Sequence, residues 1–191
     1  TVSSWGDSYG NRVDRFLATN AYLDGTKPSM IFQRGYYTRM AVTAYDWDGK
    51  TLSQRWYYNA ATKGSECYGQ GNHNVSAGDV DSDGKDEIIE GDCAIDHDGK
   101  FMYRTGKGHG DAMHLGDLSQ VNPGLEVWEV HEDSPYGYDL HDAATGKILW
   151  SATSSGDNGR GVAADVDSTS AGYEMWSGAN WNTYSSTGTV L

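Results

Sequence analysis

The sequence predicts an all-β fold, a β-propeller made of four-stranded antiparallel blades. Its 25 glycines, 7 tryptophans and 13 tyrosines in 191 residues are typical of many short strands joined by tight turns. A four-strand pattern recurs four times within one continuous region, over approximate residues 1–60, 61–106, 107–152 and 153–191. Each repeat contains a hairpin signal that ends in glycine, and these glycines lie 50, 47 and 42 residues apart. That spacing is the size of a propeller blade.

The strands follow in chain order as runs of β-branched and aromatic residues between turn signals. The first repeat predicts strands at 14–23, 29–35, 40–47 and 51–59. The second predicts strands at 74–80, 87–91, 93–96 and 101–105, and the third at 112–118, 125–130, 138–142 and 148–152. The fourth predicts strands at 160–166, 173–178 and 182–185, and its last strand has barely begun at 190–191. We expect no helix of consequence.

The chain ends inside its fourth predicted blade. An open arc of blades exposes sheet faces and an unpaired edge. We therefore expect a larger ring, truncated or nicked, whose remaining blades come from the same protein or from a second chain. Five tryptophans on predicted strands are expected to pack between blades rather than to bind sugars: Trp47, Trp56, Trp128, Trp150 and Trp176.

Charge and composition exclude some partners. A net charge of −13 argues against nucleic acid as a partner. No run of apolar residues is long enough to span a membrane, so no membrane partner is expected. No signal peptide is visible at Thr1, so the chain is expected to be mature or excised from a longer one. Cys67 and Cys93 form either one disulfide of a secreted protein or two buried thiols.

A nine-residue acidic loop predicts a calcium site. Oxygen donors stand at its alternate positions, with a backbone carbonyl at the seventh: Asp79, Asp81, Asp83, Lys85 and Glu87. The glycine at its sixth position permits the sharp turn that such a loop needs. The four residues that follow, 88–91, are too short and too β-branched to begin the helix of an EF-hand. The loop is therefore expected to join two strands.

Weaker copies of this loop recur in the next two repeats. Asp117 leads to Glu126, and Asp165 with Asp167 leads to Glu174. The number of carboxylates ranks the Asp79 loop first for calcium, the Asp165 loop second and the Asp117 loop third. We expect all three to be structural sites. Weak modular calcium sites are typical of extracellular proteins, so a secreted, extracellular location is expected.

A second set of polar residues is predicted at the opposite ends of the same strands. The first strand of each propeller blade lines the central axis, so equivalent residues of successive blades face one another. His73 lies six residues before Asp79, and Asp111 lies six residues before Asp117. Arg160 lies five before Asp165, and His109 precedes Asp111 by two.

The loops between second and third strands return to this face. They bring Glu132 from the third repeat and four residues from the first: Arg34, Tyr36, Tyr37 and Arg39. His73, His109, Asp111 and Glu132 form a candidate metal site, for which calcium, zinc and manganese all suit the mixed donors. Tyr36 and Tyr37, an exposed pair between two arginines, suit an acidic sugar. The sequence has no nucleophile elbow, no zinc-protease motif and no Walker loop.

Six motifs together resemble family 11 polysaccharide lyases, the rhamnogalacturonan lyases of secreted bacterial pectin-degrading systems. They are WGDSYGNRVDR at 5–15, RGYYTR at 34–39, GQGNHN at 69–74, GHGDAMH at 108–114, VHED at 130–133 and GRG at 159–161. The resemblance covers essentially the whole chain. It implies an eight-bladed, calcium-rich propeller, of which this chain holds roughly the middle four blades.

The resemblance also implies roles for individual residues. It implies an active-site calcium on His73, His109, Asp111 and Glu132, and a substrate-facing Arg160. The lysine that the family uses as proton acceptor falls beyond Leu191. The two cysteines replace small or apolar residues of the family, and their joint appearance favours a disulfide.

The implied reaction is β-elimination at galacturonate in rhamnogalacturonan I, an acidic plant cell-wall polysaccharide of pectin. Calcium on the substrate carboxylate would stabilise the charge that develops when the C5 proton leaves. The alternative is a non-catalytic, calcium-stabilised propeller for carbohydrate binding or adhesion. The acidic loops fit both functions equally, whereas the histidines and Arg160 at the other strand ends favour the lyase.

Overall fold

The computed structural model of the protein describes residues 1–191 and has an all-β architecture. Fifteen strands form three sheets, and almost all of their pairings are antiparallel. Two four-residue helices, α1 Val2–Trp5 and α2 Gly10–Val13, precede the first strand. Neither helix is long and apolar enough to cross a membrane. The prediction of an all-β chain without a substantial helix is confirmed.

The first sheet has four consecutive antiparallel strands in chain order. They are β1 Phe16–Ala21, β2 Ser29–Arg34, β3 Met40–Trp47 and β4 Leu52–Ala60. Met40, Val42 and Ala44 alternate along β3 and are fully buried, as expected for one face of a strand turned to a core. Trp47, which was expected to pack between blades, lies at the end of β3 and is 56% exposed in this chain, so that packing stays a prediction.

The second sheet contains eight strands in two consecutive groups of four. The first group is β5 Gly71–Gly78, β6 Glu87–Gly91, β7 Cys93–Ile95 and β8 Phe101–Arg104. The second group is β9 Gly110–Gly116, β10 Glu126–His131, β11 Tyr138–Asp142 and β12 Ile148–Ala152. Each group is antiparallel internally. A single parallel bridge between Asn72 and Gly110 joins them.

The third sheet is short and antiparallel. Its strands are β13 Gly161–Ala164, β14 Glu174–Ser177 and β15 Thr183–Tyr184. Val190 adds one isolated antiparallel bridge to Tyr184, which is the beginning of the last predicted strand. The observed strands follow the predicted order, but β5 and β9 begin at Gly71 and Gly110, earlier than predicted. The parallel bridge between them accounts for this extension.

Aromatic side chains on the fourth strand of one group pack on the hairpin of the next. The Trp56 indole N–H donates to the His97 carbonyl at 2.9 Å, and its ring lies over Gly99. The Trp150 indole N–H donates to the Ser186 carbonyl at 3.0 Å, and its ring lies over Gly188. Both turn glycines have positive φ, and an added Cβ would lie 2.8 Å from the indole. The recurring hairpin glycine therefore serves both the turn and the close approach of the tryptophan.

The two cysteines are bonded to each other. Cys67 and Cys93 form a disulfide with a Cα–Cα distance of 5.6 Å, and both residues are fully buried. The bond ties the segment between β4 and β5 to strand β7, across 26 residues of sequence. The disulfide favoured by the family resemblance is confirmed.

Replacing both Cys67 and Cys93 by Ala should lower the free energy of unfolding by about 3 kcal/mol, because the unfolded chain loses one loop constraint. Urea unfolding of the protein under oxidising conditions measures this loss. Dithiothreitol should destabilise the unsubstituted protein but not the double variant. Equal sensitivity of the two proteins to dithiothreitol would show that the disulfide does not carry this stability.

Candidate functional site

The parallel bridge between β5 and β9 places three predicted metal ligands side by side. Its partners are Asn72 and Gly110, so His73 follows one of them while His109 and Asp111 flank the other. The His73 and His109 Nε2 atoms lie 3.1 and 3.2 Å from the same Asp111 Oδ1. One donor atom from each of the three residues lies within 4.8 Å of the others. With Glu132 they are called the histidine–carboxylate site below.

A backbone carbonyl sets the orientation of His109. Its Nδ1 lies 2.6 Å from the Gly71 carbonyl oxygen. A carbonyl only accepts, so Nδ1 carries a proton, and a neutral ring presents the Nε2 lone pair to Asp111 and Glu132. His109 is buried, and its Nε2 has no hydrogen-bond partner. Either a proton on Nε2 or a metal ion between Nε2 and the carboxylates would satisfy this contact.

Tyr37 and Tyr36 pack against the two histidines from the loop between β2 and β3. The Tyr37 hydroxyl lies 3.0 Å from His73 Nε2, while the Tyr36 ring stacks on His109 with centroids 5.3 Å apart. Burial, with a contribution from the charge of Glu132, raises the pKa of Tyr37 to about 12. The phenol therefore stays protonated at neutral pH and can donate a hydrogen bond.

Both tyrosines were expected to be exposed, and only Tyr37 is partly so. Tyr36 is 3% exposed, because its ring fills the space against His109 and beside Gly71. Tyr37 is half-buried. The predicted substrate-binding role therefore falls on Tyr37 as the accessible member, and it stays a prediction for both.

Glu132 joins the site from the turn that follows β10. Its backbone N–H donates to the His109 carbonyl at 3.0 Å, which places the predicted loop at the correct strand ends. Its Oε2 lies 3.6 Å from His109 Nε2, outside the tight group of three. Burial, and secondarily the charge of Asp111, raises the pKa of Glu132. The site therefore has two carboxylates that repel each other.

Arg160 stands at the rim of the same site. Its side chain is exposed, and its backbone carbonyl accepts a hydrogen bond from Gly178 at 2.7 Å. Burial lowers the pKa of His73 most, and the charges of His109, Arg15 and Arg160 lower it further. The neighbouring Gly159 places Arg160 beside the site, because a Cβ added at Gly159 would lie 3.2 Å from Asp111 Oδ2, and the exposed guanidinium donates to the Gly159 carbonyl.

Two further arginines beside the site were missed by the sequence reasoning. The Arg12 guanidinium lies 4.8 Å from the centre of the Tyr37 ring and 4.0 Å from Glu132 Oε1. The Arg15 guanidinium lies 6.0 Å from the same ring. Both arginines belong to the motif at 5–15 that resembles the family. That motif was the sequence signal that could have identified them. They add positive charge where an acidic ligand would approach.

The two arginines predicted to bind substrate have protein partners. The Arg34 guanidinium lies 4.2 Å from the Trp5 ring centre and 3.0 Å from an Asp14 carboxylate oxygen. Arg39 lies 4.6 Å from the same ring, and its Nε donates to the Asn59 side chain. Substrate binding by Arg34 and Arg39 stays a prediction, but their described contacts hold the amino-terminal segment against the first sheet.

The donor set of the histidine–carboxylate site fits a divalent cation. Three donor atoms within 4.8 Å of one another can share one centre at calcium–ligand distances of about 2.3–2.6 Å. Two histidine nitrogens face one carboxylate oxygen, so a single cation could contact all three atoms. The unpartnered His109 Nε2 is the observation that favours a metal ion.

The predicted structural loops lie at the far ends of the same strands. His73 is near the start of β5 and Asp79 follows its end; Asp111 is near the start of β9 and Asp117 follows its end. Six residues of strand span about 20 Å. The structure therefore separates the loops from the histidine–carboxylate site, as predicted.

The Asp79 loop brings its acidic side chains together. Asp79, Asp81 and Glu87 each offer an oxygen within 4.8 Å of the others. Asp83 instead accepts from the Lys85 ammonium at 3.1 Å and lies 3.5 Å from His97 Nδ1. His97, from the turn after β7, was not singled out in the sequence. Calcium binding by this loop stays a prediction.

In each of the three repeats that contain an acidic loop, a glutamate at the start of the second strand accepts hydrogen bonds from the loop backbone. An oxygen of each accepts a loop N–H: Val80 for Glu87, Leu118 and Ser119 for Glu126, and Val166 and Asp167 for Glu174, at 2.8–2.9 Å. The other oxygen of Glu87 and of Glu174 is buried without a partner. That of Glu126 accepts from the Asn122 amide at 2.8 Å.

These contacts distinguish the three loops. In the Asp117 loop the second oxygen of Glu126 accepts a hydrogen bond from the Asn122 amide. In the other two loops the corresponding oxygen of the glutamate has no partner. One carboxylate oxygen of Asp167 also accepts two hydrogen bonds from Thr169, one from its N–H and one from its hydroxyl. The predicted ranking, with the Asp79 loop first, the Asp165 loop second and the Asp117 loop third for calcium, stays a prediction.

A buried ion-pair network lies beside the histidine–carboxylate site, and sequence reasoning did not identify it. His131 Nδ1 lies 3.2 Å from Asp92, and its Nε2 lies 2.7 Å from Asp139. Lys107 Nζ and His141 Nδ1 lie 2.8 Å from the two oxygens of Asp139. Burial opposes the charge on His131, but the two carboxylates raise its pKa to about 10. The hydrogen bonds from the histidines hold the pKa of Asp139 well below its usual range despite burial.

Comparison with protein families matches residues 1–191 to the model described as rhamnogalacturonan lyase family 11, C-terminal domain. Two curated relatives come from Bacillus subtilis (strain 168). Rhamnogalacturonan endolyase YesW is 57% identical over 193 residues, 100% of this chain and 31% of YesW. Rhamnogalacturonan exolyase YesX is 54% identical over 178 residues, 92% of this chain and 29% of YesX. The chain thus spans less than a third of either relative.

Solved structures agree over the full chain. Those of YesW, YesX and the Bacillus licheniformis rhamnogalacturonan lyase have TM-scores of 0.94, 0.93 and 0.93, with identities of 55%, 49% and 53%. In each case the match covers 100% of this chain and 33% of the other. The backbone described above is therefore shared with these three proteins.

Substituting Asp81 by Ala should reduce the stability that calcium adds to the fold without a selective loss of activity. A bound ion stabilises by about 2.7 kcal/mol when its concentration is about 100 times the dissociation constant. Thermal unfolding with calcium and with chelator measures the difference. Asp117→Ala, in the loop ranked weakest and closed by Asn122, is the comparison and should reduce the calcium response less. A folded Asp81→Ala protein of unchanged melting temperature but without activity would contradict the structural assignment.

Proposed function

The chain belongs to rhamnogalacturonan lyase family 11, and on that premise we propose that the protein containing it cleaves the rhamnogalacturonan I backbone of pectin. The reaction is β-elimination at galacturonate, and calcium is the cofactor. The supporting observation is the histidine–carboxylate site, where His109 Nε2 is buried, unpartnered and directed at two carboxylates.

Four side chains would hold the ion: His73, His109, Asp111 and Glu132. Bound calcium would supply positive charge to the galacturonate carboxylate and so stabilise the negative charge that develops on loss of the C5 proton. The Gly71 carbonyl keeps His109 in the tautomer that a metal ligand requires. The Tyr37 hydroxyl lies 3.0 Å from His73 Nε2, the nitrogen that faces Asp111, so a bound ion would replace any hydrogen bond that the phenol donates there.

Elimination requires the C5 proton to pass to a base while the C4–O bond breaks and a C4–C5 double bond forms. Arg160 is exposed at the rim and can pair with the galacturonate carboxylate. It is too basic to take the proton unaided at neutral pH. The family resemblance implies a lysine beyond Leu191 for that role. This chain then supplies binding and charge stabilisation.

The same premise extends to the architecture and location of the whole protein. The antiparallel groups of strands and the tryptophans that pack on successive hairpins support the proposal of propeller blades. The remaining blades would come from the same protein or from a second chain. The Asp79, Asp165 and Asp117 loops would hold structural calcium, the last most weakly. A disulfide and acidic calcium loops suit a secreted, extracellular protein that acts on plant cell walls.

A non-catalytic propeller that binds carbohydrate is the second candidate. The acidic loops fit it as well as they fit a lyase, because they lie about 20 Å from the proposed chemistry. It does not account for two histidines and two carboxylates converging beside a free arginine. We therefore favour the lyase.

In the full-length protein, Arg160→Ala should reduce turnover by at least ~100-fold, the usual effect of losing one charge-stabilising group. Its calcium content should not change, because Arg160 is not a proposed ligand. The ultraviolet absorbance of the conjugated product from rhamnogalacturonan I measures turnover. Arg104→Ala, at an exposed arginine on β8, is the control and should retain activity.

Chelation should abolish this absorbance change, and calcium should restore it. Near-normal turnover in Arg160→Ala would remove Arg160 from the mechanism. Binding of the polysaccharide without any unsaturated product would support the non-catalytic candidate instead. Anomalous scattering from a zinc ion at the histidine–carboxylate site would contradict calcium as the cofactor.

The isolated 191-residue chain should produce no unsaturated product even when it is folded. The proton acceptor implied by the resemblance lies outside it, and its sheets make up only a part of the proposed ring. Circular dichroism checks the fold, and the full-length protein serves as the positive control in the same assay. Robust product from the isolated chain would contradict the proposal that other blades complete the site.

A further inference from the structure

We propose that His131 is a positioning residue that holds the chain segments carrying the ligands of the histidine–carboxylate site. His131 touches neither substrate nor metal; it acts through the buried ion-pair network of Asp92, Lys107, His131 and Asp139. The inference rests on the proposed function, because it assumes that the site binds calcium.

Each segment that carries a proposed ligand also contributes a member or a contact of the network. His131 directly precedes Glu132, and Lys107 precedes His109 by two residues. The backbone N–H of Asp92 donates to the Gln70 carbonyl at 3.1 Å, just before β5 begins. Three segments distant in sequence therefore meet at one set of charges.

Asp139 is the point where two of these segments are tied together. The same Oδ2 atom lies 2.7 Å from His131 Nε2 and 2.8 Å from Lys107 Nζ. The side chains of His131 and Asp139 are fully buried, and that of Lys107 is 15% exposed. Charge pairs are strong and directional where water is excluded. The distance between the Lys107 and His131 segments is thus fixed next to both ligands.

The other ring nitrogen of His131 ties in the third segment. Nδ1 lies 3.2 Å from Asp92 Oδ2 without the alignment of a hydrogen bond, and both side chains are fully buried. The His131 ring stands between the carboxylates of Asp92 and Asp139 and separates them. Its removal would leave uncompensated buried charge and push the segments apart. The ligand geometry would change without loss of any ligand.

The Lys107 ammonium argues against a second metal site in this network. Asp92, His131 and Asp139 offer donor atoms within 4.8 Å of one another. However, Lys107 Nζ already lies 2.8 Å from Asp139 Oδ2. A cation bound there would lie beside this buried positive charge.

The neighbouring Glu129 gives independent support for a rigid region behind the site. Its Oε1 accepts from the Asn72 amide at 2.9 Å, at the bridge that precedes His73. A Cβ added at Gly91 or Gly110 would lie 2.4 or 2.1 Å from that oxygen. The backbone at the ligand segments is therefore packed too closely to adjust freely.

The test uses the full-length protein, terbium(III) as the probe and three variants. Terbium(III) replaces calcium at oxygen-rich sites and luminesces when a tyrosine such as Tyr37 lies beside it. The component of the signal that Asp111→Asn removes belongs to the histidine–carboxylate site. The variants are His131→Gln, the charge-balanced double variant Asp92→Asn with His131→Gln, and the control His141→Gln.

His141 is a matched control because it is equally buried and also bonds Asp139, at 2.8 Å, but its strand carries no proposed ligand. His131→Gln and the double variant should weaken terbium(III) binding at the site by about 10- to 100-fold, the usual effect of removing a group that supports a metal ligand. The same shift should appear in the calcium dependence of lyase turnover, with recovery at saturating calcium. His141→Gln should keep the affinity of the unsubstituted protein.

Each outcome decides between the proposals. Unchanged terbium(III) affinity in both His131 variants would overturn the positioning role and leave the proposed function intact. An equal loss in His141→Gln would also overturn it, because the effect would then be general destabilisation. If neither His131 variant folds in calcium, the network serves the fold alone and the proposal fails. If Asp111→Asn removes no component of the signal, both the metal site and this inference fail.

Discussion

Two antiparallel groups of strands meet at one parallel backbone bridge, between Asn72 and Gly110. Parallel pairing aligns the starts of β5 and β9, so residues next to the bridge on both strands project at the same end. His73, His109 and Asp111 are those residues. The Glu129 carboxyl fixes the bridge from behind through its contact with Asn72, and the absence of a side chain at Gly110 permits this approach. The candidate site thus depends on a junction between sheets rather than on any single loop.

The three acidic loops share one local design and differ at one oxygen atom. In each loop a glutamate from the next strand accepts hydrogen bonds from loop N–H groups through one oxygen, and these replace hydrogen bonds that a tight turn leaves unmade. The second carboxylate oxygen is unpaired for Glu87 and Glu174, but that of Glu126 accepts a hydrogen bond from the Asn122 amide. A neutral donor from within the chain thus satisfies one loop where the other two leave an oxygen without a partner.

The sequence predicted the features that follow from local pattern and spacing. Strand order, hairpin glycines and the opposite placement of acidic loops and histidines all follow from periodicity along one strand. It did not predict features that depend on partners from other strands. Tyr36 is buried because it stacks on His109. The ion pairs of His131 join residues 39 and 8 positions away, a distance that no local pattern reveals.

Two clusters of histidine and aspartate lie close together in this chain, and their environments distinguish their chemistry. In one cluster the Gly71 carbonyl accepts a hydrogen bond from His109 Nδ1, so the other ring nitrogen faces the carboxylates of Asp111 and Glu132. In the other cluster both nitrogens of His131 face carboxylates, and the Lys107 ammonium pairs with one of them. The first arrangement has the donor set of a candidate cation site, whereas the second already contains a lysine ammonium. Residue type alone does not identify a metal site; the partner of the second ring nitrogen and the local charge balance do so.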